Sequence, residues 1–363
     1  MRNTLIIEQF ERLMKQIEAE YLNAQAEGDS KAVMTHKHRL QSMRNILKII
    51  RNLGFEVKKA DDLKGIPGIG KNTLKRIEEI LKTKGLKEIG NVYTEDKQKI
   101  IDSIQELQTV IGIGKATARN LVVKHHIRSA SELKEAVLKG RIHVTHAIEL
   151  GLKYHGIVQG RIPRREITNI NKYLIKQALI IDPKLETLIC GSYRRGKSTS
   201  GDIDLLLYHP DIQDNEQVLQ AAKYGVPQYL QLYVQKLIDC GFLLDSLTDQ
   251  QPFILYMGFC RCKLGLPVRR IDIRYIPFTS LPTSMLHWTG PFELNIYLRH
   301  EAKKRGMILN EHGLFMRNTD QEIRIGITSE ADVFEVFGLE YMTPEQRNAF
   351  DTGKVKLESL KIK

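Results

Sequence analysis

Long apolar runs are missing from this sequence. No stretch approaches the ~18 consecutive apolar residues that a membrane-spanning helix needs, and residues 1–10 contain no apolar block of signal-peptide length. Cysteine is also scarce: there are four, and only Cys260 and Cys262 lie close together, in a spacing that is not a zinc pattern. These absences predict an intracellular, soluble protein with reduced, buried thiols and no membrane partner.

Acidic residues are outnumbered. Asp and Glu total 43 against 55 Lys and Arg, so the formal net charge is +12 and the pI is near 9.3. This balance favours a polyanionic partner, first nucleic acid and second an acidic membrane surface, and the alternative is a charge that serves only solubility. A chain of 363 residues is long enough for two or three separately packed units that need no disulfide or metal to fold.

The apolar pattern divides the chain into a helical part and a mixed part. In the first part, apolar residues repeat at helix spacing; the clearest run is Leu40, Met43, Ile46, Leu47 and Ile50. A second helical stretch covers about residues 96–155. From about residue 185 onward, short β-rich runs alternate with helical segments, which is typical of an α+β domain with an antiparallel or mixed sheet. The predicted fold class is a multi-domain α and β protein.

One motif occurs twice. Residues 63–71 read Leu-Lys-Gly-Ile-Pro-Gly-Ile-Gly-Lys, residues 107–115 read Leu-Gln-Thr-Val-Ile-Gly-Ile-Gly-Lys, and an amphipathic helical pattern follows each. Glycine tolerates positive φ and leaves backbone N–H groups bare, so such a turn at a helix N-terminus can hold a phosphate oxygen. A purely structural connection is the alternative, which two copies in a basic protein disfavour. The pattern resembles the helix-hairpin-helix motif that contacts the DNA backbone, and its predicted contacts are Gly68, Gly70, Lys71, Gly112, Gly114 and Lys115.

Three aspartates and a glycine turn indicate phosphoryl transfer. Asp202 and Asp204 alternate with apolar residues, so a strand would place both carboxylates on one face, and Asp272 has the same setting in a later strand. A lone Asp-x-Asp is usually a surface feature, but the upstream turn and the third carboxylate argue against that here. Hard oxygen ligands suit two Mg²⁺ ions, with Mn²⁺ as a substitute. Ser192 and Arg195 would then hold the β and γ phosphates.

Together these runs resemble the family X DNA polymerases, and within that family the beta type. The resemblance rests on Gly-Ser-Tyr-Arg-Arg-Gly at 191–196, Ser-Gly-Asp-Ile-Asp-Leu-Leu at 200–206, Arg-Arg-Ile-Asp-Ile-Arg at 269–274 and Trp-Thr-Gly at 288–290. It implies a template-directed polymerase that fills short gaps in base-excision type DNA repair and releases pyrophosphate from a dNTP. It also implies four parts: a helical lyase-like domain at 1–92, a DNA-binding helical subdomain at 93–157, a catalytic palm at 158–278 and a nucleotide-selecting subdomain at 279–363.

The resemblance extends to individual residues. The nucleotide contacts that it implies are Arg161, Ser192, Arg195, Gly201, Trp288, Gly290 and Asn295. Arg270 is implied to orient the catalytic carboxylates, and Arg299 to contact the template strand. Backbone carbonyls of the hairpins are implied to bind Na⁺ or K⁺, at Lys64, Ile66, Ile69, Gln108, Val110 and Ile113.

Two segments depart from the family pattern. Arg76 stands where lyase-competent members carry a Schiff-base lysine, and because arginine cannot shed its proton to attack an aldehyde, lyase activity is expected to be weak or absent. His-Trp-Thr-Gly-Pro-Phe at 287–292 replaces the common Tyr-Phe-Thr-Gly-Ser, so sugar and base contacts are expected to differ there.

Arg39 and Arg44, as permanent cations, are predicted to hold a DNA 5′-phosphate.

Two other interpretations use the same residues. The Gly-Ser and Asp-x-Asp pattern belongs to nucleotidyltransferases in general, which include enzymes that act on RNA ends, and a non-catalytic damaged-DNA binding protein would keep the hairpins. The duplicated hairpin disfavours the first, and the complete ligand set disfavours the second. The expected partners are gapped or nicked double-stranded DNA, dNTPs, DNA ligase and other repair enzymes. We expect a monomer in the nucleus or, for a viral protein, in the host cytoplasm or virion.

Overall fold

The computed structural model describes residues 3–27, 29–89, 95–158, 160–248, 254–263, 265–317 and 322–350. Contacts divide the chain into two compact units, Met1–Val144 and Thr145–Lys363. Of the four parts expected from the sequence, the one at 93–157 extends across the boundary between the two units, and the expected boundary between residues 92 and 93 lies outside the described residues. None of the helices in the described ranges is both long enough and apolar enough to cross a membrane.

The first unit is built from helices. Its described helices are α1 (Thr4–Glu27), α2 (Ser30–Arg51), α3 (Lys71–Thr83), α4 (Glu95–Leu107), α5 (Lys115–His125) and α6 (Ala130–Leu138), with a 3₁₀ turn at Ala60–Leu63. Asp29 begins α2, because its carboxylate accepts hydrogen bonds from the N–H groups of Lys31 and Ala32. The predicted apolar run of α2, from Leu40 to Ile50, is at most 6% exposed and packs with residues of α1 and α3. That prediction is confirmed.

Both glycine motifs form hairpins. Gly68 has a φ of +91° and its counterpart Gly112 a φ of +90°, in the left-handed region that favours glycine. Gly70 caps α3 with extended backbone, as Gly114 caps α5. In the first turn the N–H of Ile69 donates to the C=O of Ile66 at 3.0 Å, and the second turn has the corresponding bond at 3.1 Å. The repeat in sequence is a repeat in backbone geometry.

The second unit mixes helices and strands. Its described helices are α7 (His146–Tyr154), α8 (Arg164–Ile181), α9 (Gly191–Arg194), α10 (Asn215–Leu219), α11 (Ala221–Tyr224), α12 (Tyr229–Asp239), α13 (Leu281–Thr289), α14 (Phe292–Lys304) and α15 (Glu330–Val336), with 3₁₀ turns at Phe278–Ser280 and Gln346–Ala349. Its described strands are β1 (Ile162–Pro163), β2 (Glu186–Ile189), β3 (Thr199–Ser200), β4 (Ile203–Tyr208), β5 (Leu243–Ser246), β6 (Leu255–Cys260), β7 (Arg269–Tyr275), β8 (Met307–Asn310), β9 (Gly313–Arg317) and β10 (Glu322–Ile325).

The main sheet has five strands in the order β2-β4-β7-β6-β5. β4 and β7 are parallel and the other neighbours are antiparallel, so the predicted mixed sheet is confirmed. Residues of α8 and α12 join the buried apolar residues of β4 and β7 in the largest core of this unit. A three-stranded antiparallel sheet, β10-β9-β8, packs with α14 in a separate core.

The prediction of buried thiols holds for two of the four cysteines. Cys190 and Cys260 are buried, Cys262 is partly buried, and all four are free thiols. Cys240 is exposed, so the prediction is wrong there. It follows directly after the last residue of α12, where the chain turns toward β5.

Candidate active site

Two neighbouring strands bring the predicted carboxylates together. β4 and β7 run parallel, and their register places Asp204 directly opposite Asp272. Asp202 lies just before the first residue of β4. Ile203 and Leu205, on either side of Asp204, are fully buried, because alternate strand residues point to opposite faces. The apolar side is therefore anchored in the core while the carboxylates lie on the other face.

A glycine turn lies against Asp204. Gly191 follows β2 with a φ of +55°, and a β-carbon at this position would lie 2.0 Å from Oδ2 of Asp204. Glycine is thus needed both for the backbone angle and for the space. The N–H of Cys190 donates to the C=O of Asp204 at 2.8 Å, which ties the turn to β4. Ser192 comes next, in α9.

Two of the three carboxylates, those of Asp204 and Asp272, resist ionisation. The pKa of Asp204 is raised to about 8, first by burial and then by the negative charges of Asp202 and Asp272. Burial also raises the pKa of Asp272, although the positive charge of Arg270 opposes the shift. Arg270 donates from Nη2 to Oδ1 of Asp272 at 3.0 Å. A bound cation would relieve this excess of negative charge.

The donor set fits a divalent cation in charge and in ligand type, because carboxylate oxygens are the hard ligands that Mg²⁺ prefers. Among the described residues, however, no three His, Cys, Asp or Glu side chains converge closely enough to form a complete metal site. Asp272 is paired with Arg270 instead, at 3.0 Å. Metal binding would therefore require Asp272 to share its oxygens between Arg270 and the ion.

A cavity of about 680 Å³ opens beside these carboxylates, and Asp202 and Asp204 stand in its wall. All seven residues predicted to contact the nucleotide line it: Arg161, Ser192, Arg195, Gly201, Trp288, Gly290 and Asn295. Asp272, Arg270 and Arg299 are not part of the wall. The structure thus gathers the predicted nucleotide contacts in one place, although they come from residues 161–295.

Two arginines of the cavity are held by neighbouring oxygens. Arg161 donates from Nη2 to the C=O of Thr199 at 2.8 Å. Arg195 donates from Nη1 to the C=O of Thr289 and from Nε to Oδ1 of Asn348 at 3.0 Å. These permanent cations are fixed before any anion arrives, and preorganised charge of this kind stabilises an anionic ligand.

Sequence reasoning missed Lys197, which also lines the cavity. Its position directly after the Gly-Ser-Tyr-Arg-Arg-Gly run was a usable signal.

Sequence reasoning also missed a buried ion network. Arg194 donates from Nη2 to Glu330 at 2.7 Å, and Arg347, which is 0% exposed, donates from Nη1 to the same carboxylate at 2.8 Å. Burial alone would raise the pKa of Glu330, but the hydrogen bonds from both arginines keep it below its ordinary value.

The residues predicted to contact the base and the template make contacts within the protein. Asn295 donates from Nδ2 to the C=O of His287 at 2.7 Å, which leaves its second amide N–H for a base edge. Arg299 lies 3.3 Å from Nδ1 of His287 and 3.7 Å from Glu311. Burial lowers the pKa of His287, with the positive charges of Arg299 and Arg274 adding to the shift and Glu311 opposing it.

In the first unit, the two arginines predicted to hold a 5′-phosphate lie in different surroundings. Arg39 donates to Glu20 at 2.7 Å. Arg44 lines a separate cavity of about 220 Å³ with Lys48 and Arg51 among its neighbours. That each of them holds a 5′-phosphate stays a prediction.

The hairpin lysines are both exposed at the first position of their helices. Lys115 forms an ion pair with Glu18 of α1 at 2.8 Å, so a phosphate at the second hairpin would replace a carboxylate. Among the predicted cation-binding carbonyls, those of Ile66 and Val110 each already accept one backbone hydrogen bond. Each keeps a second lone pair for an ion.

Comparison with known proteins agrees with this geometry. The family model "DNA polymerase beta palm" matches residues 161–278, and "DNA polymerase beta thumb" matches residues 284–348. A helix-hairpin-helix domain matches residues 1–86, and a SAM-like helix-hairpin-helix tandem matches residues 60–124, which include both hairpins. These matches assign the chain a palm and a thumb of the DNA polymerase beta type together with helix-hairpin-helix domains.

The chain belongs to the family X DNA polymerases. It is 30% identical over 319 residues to DNA polymerase lambda of Arabidopsis thaliana, covering 83% of this chain and 56% of that protein. It is 29% identical over 298 residues to DNA polymerase lambda of Rattus norvegicus, covering 78% of this chain and 48% of that protein. The chain thus spans about half the length of these relatives.

Proposed function

We propose that this protein is a template-directed DNA polymerase that fills short gaps during DNA repair. The observation that carries the proposal is the position of Asp202 and Asp204 in the wall of a cavity that also gathers all seven expected nucleotide contacts. Asp272, directly opposite Asp204, completes the set of carboxylates. The relatives named DNA polymerase lambda support the same activity.

Family X polymerases use divalent metals in catalysis. Asp202, Asp204 and Asp272 would hold two Mg²⁺ ions, with Mn²⁺ as a substitute, and the ions supply charge neutralisation at the attacking and leaving oxygens when bound. Arg270, which donates to Asp272 at 3.0 Å, would keep that carboxylate oriented.

The residues of the chain would bind and align the two substrates. The primer 3′-oxygen forms a bond to the α-phosphorus of the dNTP as the bond to the pyrophosphate oxygen breaks, and the hydroxyl proton passes to an oxygen of Asp272. Arg161, Ser192 and Arg195 would hold the β and γ phosphates, so that pyrophosphate leaves from a cationic pocket. The turn at 288–290 would support the sugar, and Asn295 would contact the minor-groove edge of the new base pair.

The two hairpins would hold the DNA backbone without regard to sequence, because their glycine turns present N–H and C=O groups to phosphate, sugar and a Na⁺ or K⁺ ion. Filling a one-nucleotide gap leaves a nick. A DNA ligase is therefore the class of enzyme that would act on the nicked product.

The test is primer extension on DNA with a one-nucleotide gap, with Mg²⁺ or Mn²⁺ and each dNTP in turn. We expect addition of the nucleotide complementary to the template base. Addition to RNA 3′ ends without a template would instead identify another nucleotidyltransferase. Tight binding of gapped DNA without any addition would identify a non-catalytic binding protein, and either result would overturn the proposal.

A further inference from the structure

In the first unit, the carboxylate of Glu88 lies between two arginines. Arg76 of α3 donates to it from Nε at 2.6 Å and from Nη2 at 2.8 Å, as a bidentate pair. Arg39 of α2, which donates from Nη1 to Glu20 at 2.7 Å, approaches Oε1 of Glu88 with its Nη2 at 3.4 Å. Hydrogen bonding from Arg76 lowers the pKa of Glu88, so the carboxylate is ionised at neutral pH.

The turn that carries Glu88 is held in place by the surrounding fold. Leu86 is buried in the core of α1, α2 and α3. The N–H of Lys87 donates to Oε1 of Glu79 at 2.6 Å, and Gln16 donates from Nε2 to the C=O of Glu88 at 3.3 Å. The carboxylate is therefore presented to the arginines by a supported backbone.

Two guanidinium groups that face one carboxylate also match a phosphate, because arginine binds both anions in the same forked geometry. A terminal phosphate monoester carries a charge of about −1.5 to −2 at pH 7 and offers three oxygens. A carboxylate or an internal phosphodiester carries only one negative charge. Arg76 and Arg39 keep 23% and 34% of their side chains exposed, so an incoming anion can reach both.

We propose that Glu88 is a specificity-determining residue, whose carboxylate occupies the place of a phosphate monoester between Arg76 and Arg39. A DNA 5′-phosphate then binds the first unit by displacing Glu88, whereas an internal phosphodiester has no charge advantage with which to do so. The chain thereby limits its own preference for 5′-phosphorylated gaps. This inference rests on the proposed gap-filling function and adds a determinant of which gaps are bound.

The test compares the affinity of the full chain for one-nucleotide gaps with a 5′-phosphate and with a 5′-hydroxyl on the downstream strand. In Glu88→Gln we expect the ratio of the two affinities to rise roughly five- to tenfold, the lower range of usual coupling between two ligands. Glu78→Gln is the matched control, because it removes a carboxylate of α3 that pairs with Lys82 at 2.7 Å. It should strengthen both affinities equally and leave the ratio unchanged.

A second variant keeps the inference open to refutation. Arg76→Ala added to Glu88→Gln should remove the gain, since the freed site would have lost its bidentate donor. An unchanged ratio in Glu88→Gln, with wild-type thermal melting, overturns the proposal, and so does a gain that persists without Arg76.

Inorganic phosphate and ATP are tested as competitors of the 5′-phosphorylated gap. If either displaces it as well as a phosphorylated DNA end does, the site binds a free phosphate compound and the assignment to DNA ends is overturned. Failure of the polymerase proposal would be distinguishable, as absent nucleotide addition by the wild type while the affinity ratio remains measurable.

Discussion

The backbone of Gly191 lies so close to Asp204 that a β-carbon at position 191 would come within 2.0 Å of Oδ2. The turn that begins the proposed phosphate-binding segment therefore packs directly against the central carboxylate. Because the φ of Gly191 is +55°, a side chain there is strained even if Asp204 moves away.

Gly191→Ala should displace Asp204 and lower kcat/KM for gap filling by about 100-fold, the usual cost of an ångström-scale misplacement. Gly326→Ala is the control in the same unit, since a β-carbon there meets nothing within 4 Å and its φ lies outside the left-handed region. Single-nucleotide extension and thermal melting of both variants check the expectation. Wild-type activity in Gly191→Ala would contradict the geometry.

Each of Asp202→Asn, Asp204→Asn and Asp272→Asn should abolish nucleotide addition while leaving gapped-DNA binding largely intact, because phosphate contacts supply most of that affinity. Asp239→Asn, on the exposed end of α12, is the matched control and should retain activity. Single-turnover extension and fluorescence anisotropy measure the two properties. Retained addition in Asp272→Asn would refute its assignment as the third carboxylate.

The raised pKa of Asp204 predicts how stability changes with pH when divalent metal is removed. The folded protein holds this proton up to about pH 8, whereas an unfolded chain releases it near pH ~3.9. The group therefore stabilises the fold at low pH, and that contribution is lost as the pH rises through the folded-state pKa. Between pH 5 and pH 9 the loss should be on the order of a few kcal/mol.

Urea unfolding in EDTA measures this pH dependence. Asp204→Asn should show a smaller one, because its amide does not titrate while Asp272, whose pKa is also raised by burial, still does. Adding Mg²⁺ to the wild type should reduce the loss, since a cation stabilises the ionised carboxylates. A wild-type profile that matches Asp204→Asn at every pH would show that burial does not hold the proton.

The carboxylates were predictable from sequence because a strand alternates its faces. The alternation of Asp202, Ile203 and Asp204 indicates which face of the strand is polar and which is apolar, and it requires no long-range information. The pairing of Arg194 with Glu330 was not, because the two residues are 136 positions apart and nothing local joins them. The same holds for Glu88, which reaches Arg76 from an irregular turn rather than from helix spacing.

The buried network around Glu330 should be important for the stability of the second unit. Glu330→Gln removes the charge that pairs with Arg194 and with the fully buried Arg347, so we expect a loss of ~3–5 kcal/mol in the free energy of unfolding. Glu335→Gln, exposed on the same helix, should change it by less than ~0.5 kcal/mol. Denaturant unfolding distinguishes them, and equal values would refute the role of the network.

The last prediction concerns lyase chemistry in the first unit. A Schiff base needs a neutral amine directed at the sugar aldehyde, but Arg76 keeps its proton and is bound bidentately by Glu88. Lys75 is exposed one residue earlier, about 100° around the helix. We therefore expect little or no covalent adduct when DNA carrying a 5′-deoxyribose phosphate is trapped with borohydride.

A lysine introduced at position 76 tests whether the missing amine is the cause of the weak lyase activity. Arg76→Lys alone should restore little trapping, because Glu88 would stabilise the protonated ammonium and so raise its pKa. Arg76→Lys combined with Glu88→Gln should trap more, since the amine then loses its proton more readily. An efficient adduct in the wild type would refute the prediction. Loss of that adduct in Lys75→Ala or Lys71→Ala would then identify which lysine is the nucleophile.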